Sequence, residues 1–380
     1  MITRALGAAF LVLLGLLAAV PPPHVVAAPS RTTALTAAAP AAAPYVPTTR
    51  AVFSKPGQRR ISALVTTNLR HAQPRSTVRV VMWKLSSWAL ARELVAASRR
   101  GVRVQVLVGG ISCREPAYRL LRRDLARASR STADCSYRSA RGGRTFAGQE
   151  TGLHQKSWTF TRTGTGRWVV VVTSANATPM ADAFQYNDAY QVVGNRALHE
   201  RFREVFDQQR RDRPLTRPFR THRAGDTTVA FSPWNSASMS DPVVSRIRAI
   251  PPRGAVIRIA KSNWQDARGV AIARALVRKL EAGARVRVLT SRPFARSVRT
   301  LLVGAGARLE TAYFSSRRYH HLKFMTAEHD GPSGRQTRVW TGSENWWGPS
   351  RGHDELVLGL TAPSAHRAYV RFFDDVWDDR

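Results

Sequence analysis

Two distant stretches of the chain carry one order of apolar and polar positions. The first is "STVRVVMWKLSSWALARELVAASRRGVRVQVLVGG" and the second "GAVIRIAKSNWQDARGVAIARALVRKLEAGARVRVLTS". Each opens on a Val/Ile-rich run that predicts a strand ending near a lysine, Lys84 or Lys261. Apolar residues then recur at helical spacing, which predicts helices over Leu90–Arg100 and Ile272–Ala282. Both helices stop at a glycine, Gly101 or Gly283, placed as a C-cap. A strand pattern follows, "GVRVQVL" or "GARVRVL". Ahead of each block stand a short strand with Phe-Ser and another amphipathic helix. Strands and helices alternating at this length predict α/β units. A period of roughly 180 residues is too long for a solenoid and reads as a duplicated domain.

The repeat extends to residues with chemistry. In "TGLHQKSWTFTRTGTGRWVVVVTSAN", His154 and Lys156 lie two apart on a predicted strand, where i and i+2 share a face. A Gly-rich turn and a Val-rich strand lead to Ser174 and Asn176. In "YHHLKFMTAEHDGPSGRQTRVWTGSEN", His321 and Lys323 begin the same series, which ends at Ser343 and Asn345. An acidic residue, Asp188 or Glu355, lies 34 residues beyond the histidine in each half. Lysine is scarce here, six of 59 basic residues, yet Lys156 matches Lys323 and Lys84 matches Lys261. A compact ammonium is called for where a planar guanidinium does not serve. For Lys84 and Lys261, support of the strand ends is as good a reading as substrate contact.

Two sets of His, Lys, Ser/Asn and carboxylate suit a phosphodiester. Two ammonium groups and the Ser/Asn donors can neutralise its oxygens as charge builds on them. One imidazole can attack phosphorus to give a covalent intermediate, and the other can protonate the leaving oxygen and then activate water. Each histidine needs a carboxylate on its far nitrogen to fix its tautomer, which Asp188 and Glu355 could supply. The set is complete without a metal. It resembles the phospholipase D superfamily, whose signature, His-x-Lys-x4-Asp followed by Gly-Ser-x-Asn, occurs twice. The resemblance runs from about Val52 to Trp377. It implies two similar α/β lobes, each a mixed β-sheet flanked by helices, related by a pseudo-twofold axis with the active site between them. The lobes would be residues 50–215 and 216–380.

The resemblance also implies a phosphohistidine intermediate, no metal and no cofactor. His154 would be the nucleophile and His321 the general acid/base, the reverse assignment remaining open. Lys156, Lys323, Ser174, Asn176, Ser343 and Asn345 would hold the phosphate. The signature Asp is replaced by Thr161 in the first half and Glu328 in the second, and Thr173 stands where the family has Gly. Thr161 and Glu328 are expected at strand ends entering the turn, where they would alter the scaffold more than the chemistry. A decayed, inactive first half is the alternative.

Composition narrows the setting more than the substrate. Residues 1–28 have a short basic start, an apolar run from Ala5 to Val20 and small residues near a cleavage point, as in a secretory signal peptide. Residues 29–49, rich in Ala, Pro and Thr, read as a flexible linker. Export would let Cys113 and Cys135 form a disulfide, two free thiols being the alternative. The net charge of +34 suits an anionic partner, lipid surface or nucleic acid, although Arg-biased codon usage produces the same excess.

Trp346 and Trp347, if exposed at the mouth of the site, would favour a phospholipid, as would export; packed under the loop they would say nothing. The run Arg119–Arg130 suits a nucleic-acid backbone but also reads as an ordinary amphipathic helix. A secreted phospholipase D-like hydrolase is therefore expected, with a nuclease of the same superfamily as alternative. A non-catalytic polyanion-binding protein on this scaffold is the alternative of another class. A duplicated chain builds its own two-lobed site, so a monomer is expected.

Overall fold

The computed structural model describes residues 43–137, 145–146, 149–150, 152–212 and 214–379; the leader and most of the linker expected before Arg50 lie outside them. The described residues from Pro44 onward form one compact unit. The last linker residues are packed: Thr165 donates its amide to the Tyr45 carbonyl, and the Tyr45 hydroxyl reaches Asn68.

The first half supplies β1 (Arg50–Ser54), β2 (Thr77–Met82), β3 (Arg103–Gly109), β4 (Thr132–Ser136), β7 (Lys156–Thr163), β8 (Gly166–Thr173) and β9 (Gln185–Val192). A two-stranded ribbon, β5 (Thr145–Phe146) and β6 (Gln149–Glu150), stands apart. Helices α1 (Arg60–Arg70), α2 (Trp88–Arg99), α3 (Pro116–Leu125), α4 (Pro179–Phe184) and α5 (Arg196–Arg210) intervene.

The second half supplies β10 (Arg220–Ala224), β11 (Thr227–Phe231), β12 (Val256–Lys261), β13 (Arg285–Thr290), β14 (Arg308–Thr311), β15 (Tyr313–Ser315), β16 (Arg318–His320), β17 (Lys323–Gly331), β18 (Gly334–Gly342) and β19 (Leu356–Leu360). Its helices are α6 (Pro242–Arg248), α7 (Asp266–Glu281), α8 (Arg296–Gly304) and α9 (Pro363–Trp377).

The duplication read from the pattern is a duplication of topology. The orders β4-β3-β2-β7-β8-β9 and β14-β13-β12-β17-β18-β19 repeat, with matching parallel and antiparallel pairs. β1 pairs antiparallel with β9, as β11 does with β19. Helices α2 and α7 both precede a glycine with positive φ, 87° at Gly101 and 89° at Gly283, so the chain leaves each helix through the left-handed region. The halves differ in how far they pair with each other, the first giving a single parallel bridge, Leu153 with Asp354. β15 and β16 of the second half join the first half's sheet, β16 running parallel to β9 with His320 opposite Tyr186.

The run "WVVVV" in β8 is apolar throughout because both of its faces are covered. Val169 and Val171 face a core with Val80, Leu94 and Phe160 in the first half. Val170 and Val172 face a second core shared by both halves, with Phe324, Leu356, Leu358 and Phe373. Burying a Val or Leu side chain contributes about 1.5–3 kcal/mol, so this shared layer, more than polar contacts, holds the lobes together. Helix α9 closes it, with Phe372 stacked on Phe53 at 4.3 Å and Lys55 paired with Asp375 at 3.0 Å.

Cys113 and Cys135 form a disulfide with Cα atoms 5.9 Å apart. It ties the turn after β3 to the end of β4. Thr161 and Glu328 lie inside β7 and β17, not at their ends, because the hairpin strands run further than the turn residues suggested. The Thr161 hydroxyl accepts the Thr77 amide, and Glu328 pairs with Arg258 at 2.9 Å. Both contacts belong to the scaffold.

Candidate active site

Regular strand begins at Lys156 and Lys323, so each histidine lies just ahead of it, in a segment that crosses to the other half. The His154 amide donates to the Asp354 carbonyl at 2.9 Å, and the His321 amide donates to the Tyr186 carbonyl at 2.9 Å. Each ring is thus carried to the end of the other half's last hairpin strand. There, His154 Nδ1 lies 2.8 Å from Glu355 Oε2. The second Glu355 oxygen accepts the Ser350 hydroxyl at 2.7 Å. This fixes the carboxylate, which holds a proton on Nδ1 and leaves Nε2 its lone pair.

His321 is held differently. Its Nδ1 lies 3.1 Å from the Ser174 carbonyl and 3.3 Å from Asn187 Oδ1, and its Nε2 lies 3.1 Å from Lys323 Nζ. Asp188, the counterpart of Glu355, binds the hydroxyls of Thr341 and Tyr369 instead. The two halves therefore offer chemically unlike imidazoles, one on a carboxylate and one on neutral carbonyl oxygens.

Of the six lysines, Lys156, Lys261 and Lys323 are buried here. Lys156 Nζ donates to the His154 carbonyl at 2.6 Å and sits 5.2 Å from the Trp83 ring. Burial lowers its pKa to about 7, against an opposing pull from Glu355. Lys323 donates to the Ser262 hydroxyl at 2.7 Å, and burial together with Lys156 holds it well below its ordinary value. Burial, then the cations Lys156 and Lys323 among other neighbours, holds both His154 and His321 well below the usual histidine value, so both imidazoles are neutral at pH 7. Lys261 ties the Lys323 and Glu344 carbonyls at 2.7 and 3.0 Å, a strand-end support.

Ser174 and Ser343 are fully buried and receive the amides of Asp188 and Leu356. They hold the backbone of the two hairpins. Asn176 Oδ1 and Asn345 Oδ1 have no hydrogen-bond partner among the described residues. The tryptophan pair divides. Trp346 is buried edge-on against Trp264 at 4.6 Å, and Trp347 lines a cavity beside His154. Sequence reasoning passed over Ser350, Ser262, Asn187 and His353. Of these only Asn187 and His353 carried a signal, as polar neighbours of Asp188 and Glu355.

The cavity measures about 540 Å³ and is walled by Trp83, Ile111, Tyr137, Leu153, Trp347 and Pro349, with His154 and His353 at its inner end. Ile111 and Tyr137, about half exposed, stand at its rim, each two positions along the chain from a cysteine of the disulfide. The whole forms a cationic centre with one positioned imidazole, opening into an apolar, aromatic space.

Residues 65–210 match a family model described as "Cardiolipin synthase, PLD-like domain". No curated protein matches the chain. Among solved structures, phosphatidylserine synthase of Haemophilus influenzae is similar in fold at 11% identity, TM-score 0.58, over 88% of this chain and 87% of that one. Polyphosphate kinase of Porphyromonas gingivalis is similar at 12% identity, TM-score 0.58, over 87% of this chain. This chain spans only 50% of that kinase.

Proposed function

We propose that this chain belongs to the phospholipase D superfamily and is a phosphodiesterase that cleaves a phospholipid head-group bond through a phosphohistidine, a reading supported by the PLD-like family model over residues 65–210 and by the fold. The observation that carries the substrate class is the aromatic cavity beside His154, with Ile111 51% and Tyr137 56% exposed at its mouth. Apolar side chains at a rim suit an acyl glycerol partly drawn from a membrane, and a polynucleotide backbone gains little from them. The N-terminal apolar run and the disulfide support export, and one chain supplies both halves of the site, so it acts as a monomer.

In the first step His154 Nε2 attacks phosphorus, a P–N bond forms and the bond to the leaving oxygen breaks. Glu355 stabilises the resulting imidazolium through Nδ1. Lys156 and Lys323 neutralise the non-bridging oxygens, and the amides of Asn176 and Asn345 donate to them. The anionic substrate also offsets the cation repulsion on His321, which lets that imidazole carry the proton it gives to the leaving alkoxide. In the second step His321 takes a proton from water, the oxygen attacks phosphorus, and the P–N bond breaks to restore His154. No step uses a metal.

The purified protein offered phosphatidylcholine, phosphatidylglycerol, and single- and double-stranded DNA, each with EDTA, is expected to release head group and no oligonucleotide. Oligonucleotide release would replace the lipid reading with a nuclease, which the charge of +34 favours. Salt-sensitive binding without turnover of any substrate would leave a polyanion-binding protein.

Lys156 sets a pH limit. It is charged below about 7 and loses its proton above, so kcat/KM for an anionic substrate should fall as pH rises through about 7. The acid limb, where His154 protonates, lies well below pH 6.5. Lys156→Arg stays charged and should move the alkaline limb upward, at some cost in rate from the changed geometry. A flat kcat/KM from pH 6 to 9 in the native protein would remove Lys156 from substrate binding.

A further inference from the structure

Beyond the metal-free chemistry, we infer that His154, His353 and Glu355 form an inhibitory binding site for a divalent transition-metal ion of the zinc type. A nitrogen from each imidazole and a carboxylate oxygen lie within 4.8 Å of one another. The two rings are 5.7 Å apart, and His353 Nδ1 is 4.0 Å from Glu355 Oε1. Two imidazoles and one carboxylate are a donor set that zinc accepts, with a fourth position left for water. The cavity of about 540 Å³ in front of His154 and His353 gives an ion and its water room and access.

His353 is no part of the repeated machinery. It lies 32 residues after His321, and the residue 32 after His154 is Tyr186, whose hydroxyl is bonded to Asp379. The donor set therefore occurs on one side of the pseudo-symmetric site only. Lys156 and Lys323 oppose a cation here, so the ion is exchangeable and not resident. Their repulsion also separates this site from a catalytic zinc centre, which would not be lined with ammonium groups.

Either mode of binding stops the chemistry of the preceding section, on which this consequence rests. A metal on His154 Nε2 occupies the lone pair that would attack phosphorus. A metal on Nδ1 displaces the proton held by Glu355 and shifts it to Nε2, which again loses its lone pair.

The site itself is tested without any assay of turnover. The EDTA-treated, metal-free protein titrated with ZnCl2 by calorimetry should bind one equivalent, and with CoCl2 should show the visible absorption of a low-coordinate cobalt centre. His353→Ala and His353→Asn should each weaken this binding at least about tenfold while circular dichroism stays unchanged. Turnover of each protein, scaled to its own metal-free rate, should fall over the same zinc range and return with EDTA. No single-equivalent binding, or equal binding by both folded variants, would overturn the site. Full binding with undiminished turnover would overturn the inhibition. A protein with no turnover on any substrate would count against the proposed function and leave the calorimetric result to stand.

Discussion

His154→Ala is expected to lower turnover on the order of 10⁴-fold or more and to abolish the covalent intermediate, because in the proposed mechanism His154 forms the P–N bond. Its counterpart behaves differently with the right substrate. His321→Ala should be as damaging toward an alkyl phosphodiester, whose leaving oxygen needs a proton. Toward an aryl phosphodiester, whose leaving phenolate does not, the first step should survive and the second should stall. Acid-labile, base-stable label would then accumulate on His154 in the His321 variant. Label on His321 in the His154 variant would reverse the two roles. Rapid-quench trapping with radiolabelled aryl substrate, followed by peptide mapping, separates the two outcomes.

The second large effect is expected at Glu355. Glu355→Gln keeps the size of the side chain, but its amide can present N–H toward His154 Nδ1 and turn the ring to its other tautomer. Nε2 then carries a proton and no lone pair, a change worth on the order of 10⁴-fold in kcat for a histidine of this kind. Substrate affinity should change little. Asp188→Asn is the informative contrast, since Asp188 bonds Thr341 and Tyr369 and no histidine. It should cost more in thermal stability than in kcat, because the hydroxyls of Thr341 and Tyr369 then donate to a neutral amide oxygen in place of a carboxylate. Equal losses of kcat in the two variants would mean that Asp188 turns to His321 when substrate binds, and that the two halves work alike.

This asymmetry marks a boundary of what residue order conveys. Asp188 and Glu355 occupy the same place in the repeat, 34 residues after their histidines, and nothing in the chain distinguishes their tasks. The distinction comes from docking. Ser350 reaches Glu355 only because the short turn after Trp347 folds back over it. Asn187 and the Ser174 carbonyl take the position beside His321 that a carboxylate would otherwise fill. Trp346 and Trp347 are equally apolar neighbours in the chain, but one faces Trp264 in the core and the other a cavity. The pairing of β16 with β9 is echoed in the first half by a single parallel bridge, Leu153 with Asp354, and neither crossing between the halves is visible in a comparison of the repeats.

What the chain conveys without its folded form is the local and the periodic. Strand and helix order, the glycine stops at Gly101 and Gly283, and the duplicated His, Lys, Ser and Asn series are all carried by neighbouring residues or by one half matched against the other. The lysine chosen at matching places, Lys156 and Lys323, was visible for the same reason; Lys84 and Lys261 are not matched in the folded repeat, because Lys261 stands opposite Lys323 where Met82 stands opposite Lys156. Contacts between halves are of another kind. His154 is served by Glu355, some 200 positions away, and the sheet of one half is completed by strands of the other. Such contacts depend on how two apolar faces settle on each other across Val170, Val172, Phe324 and Leu356. Hydrophobic packing is non-directional, and its sum over many side chains selects one orientation of the lobes that no single residue encodes.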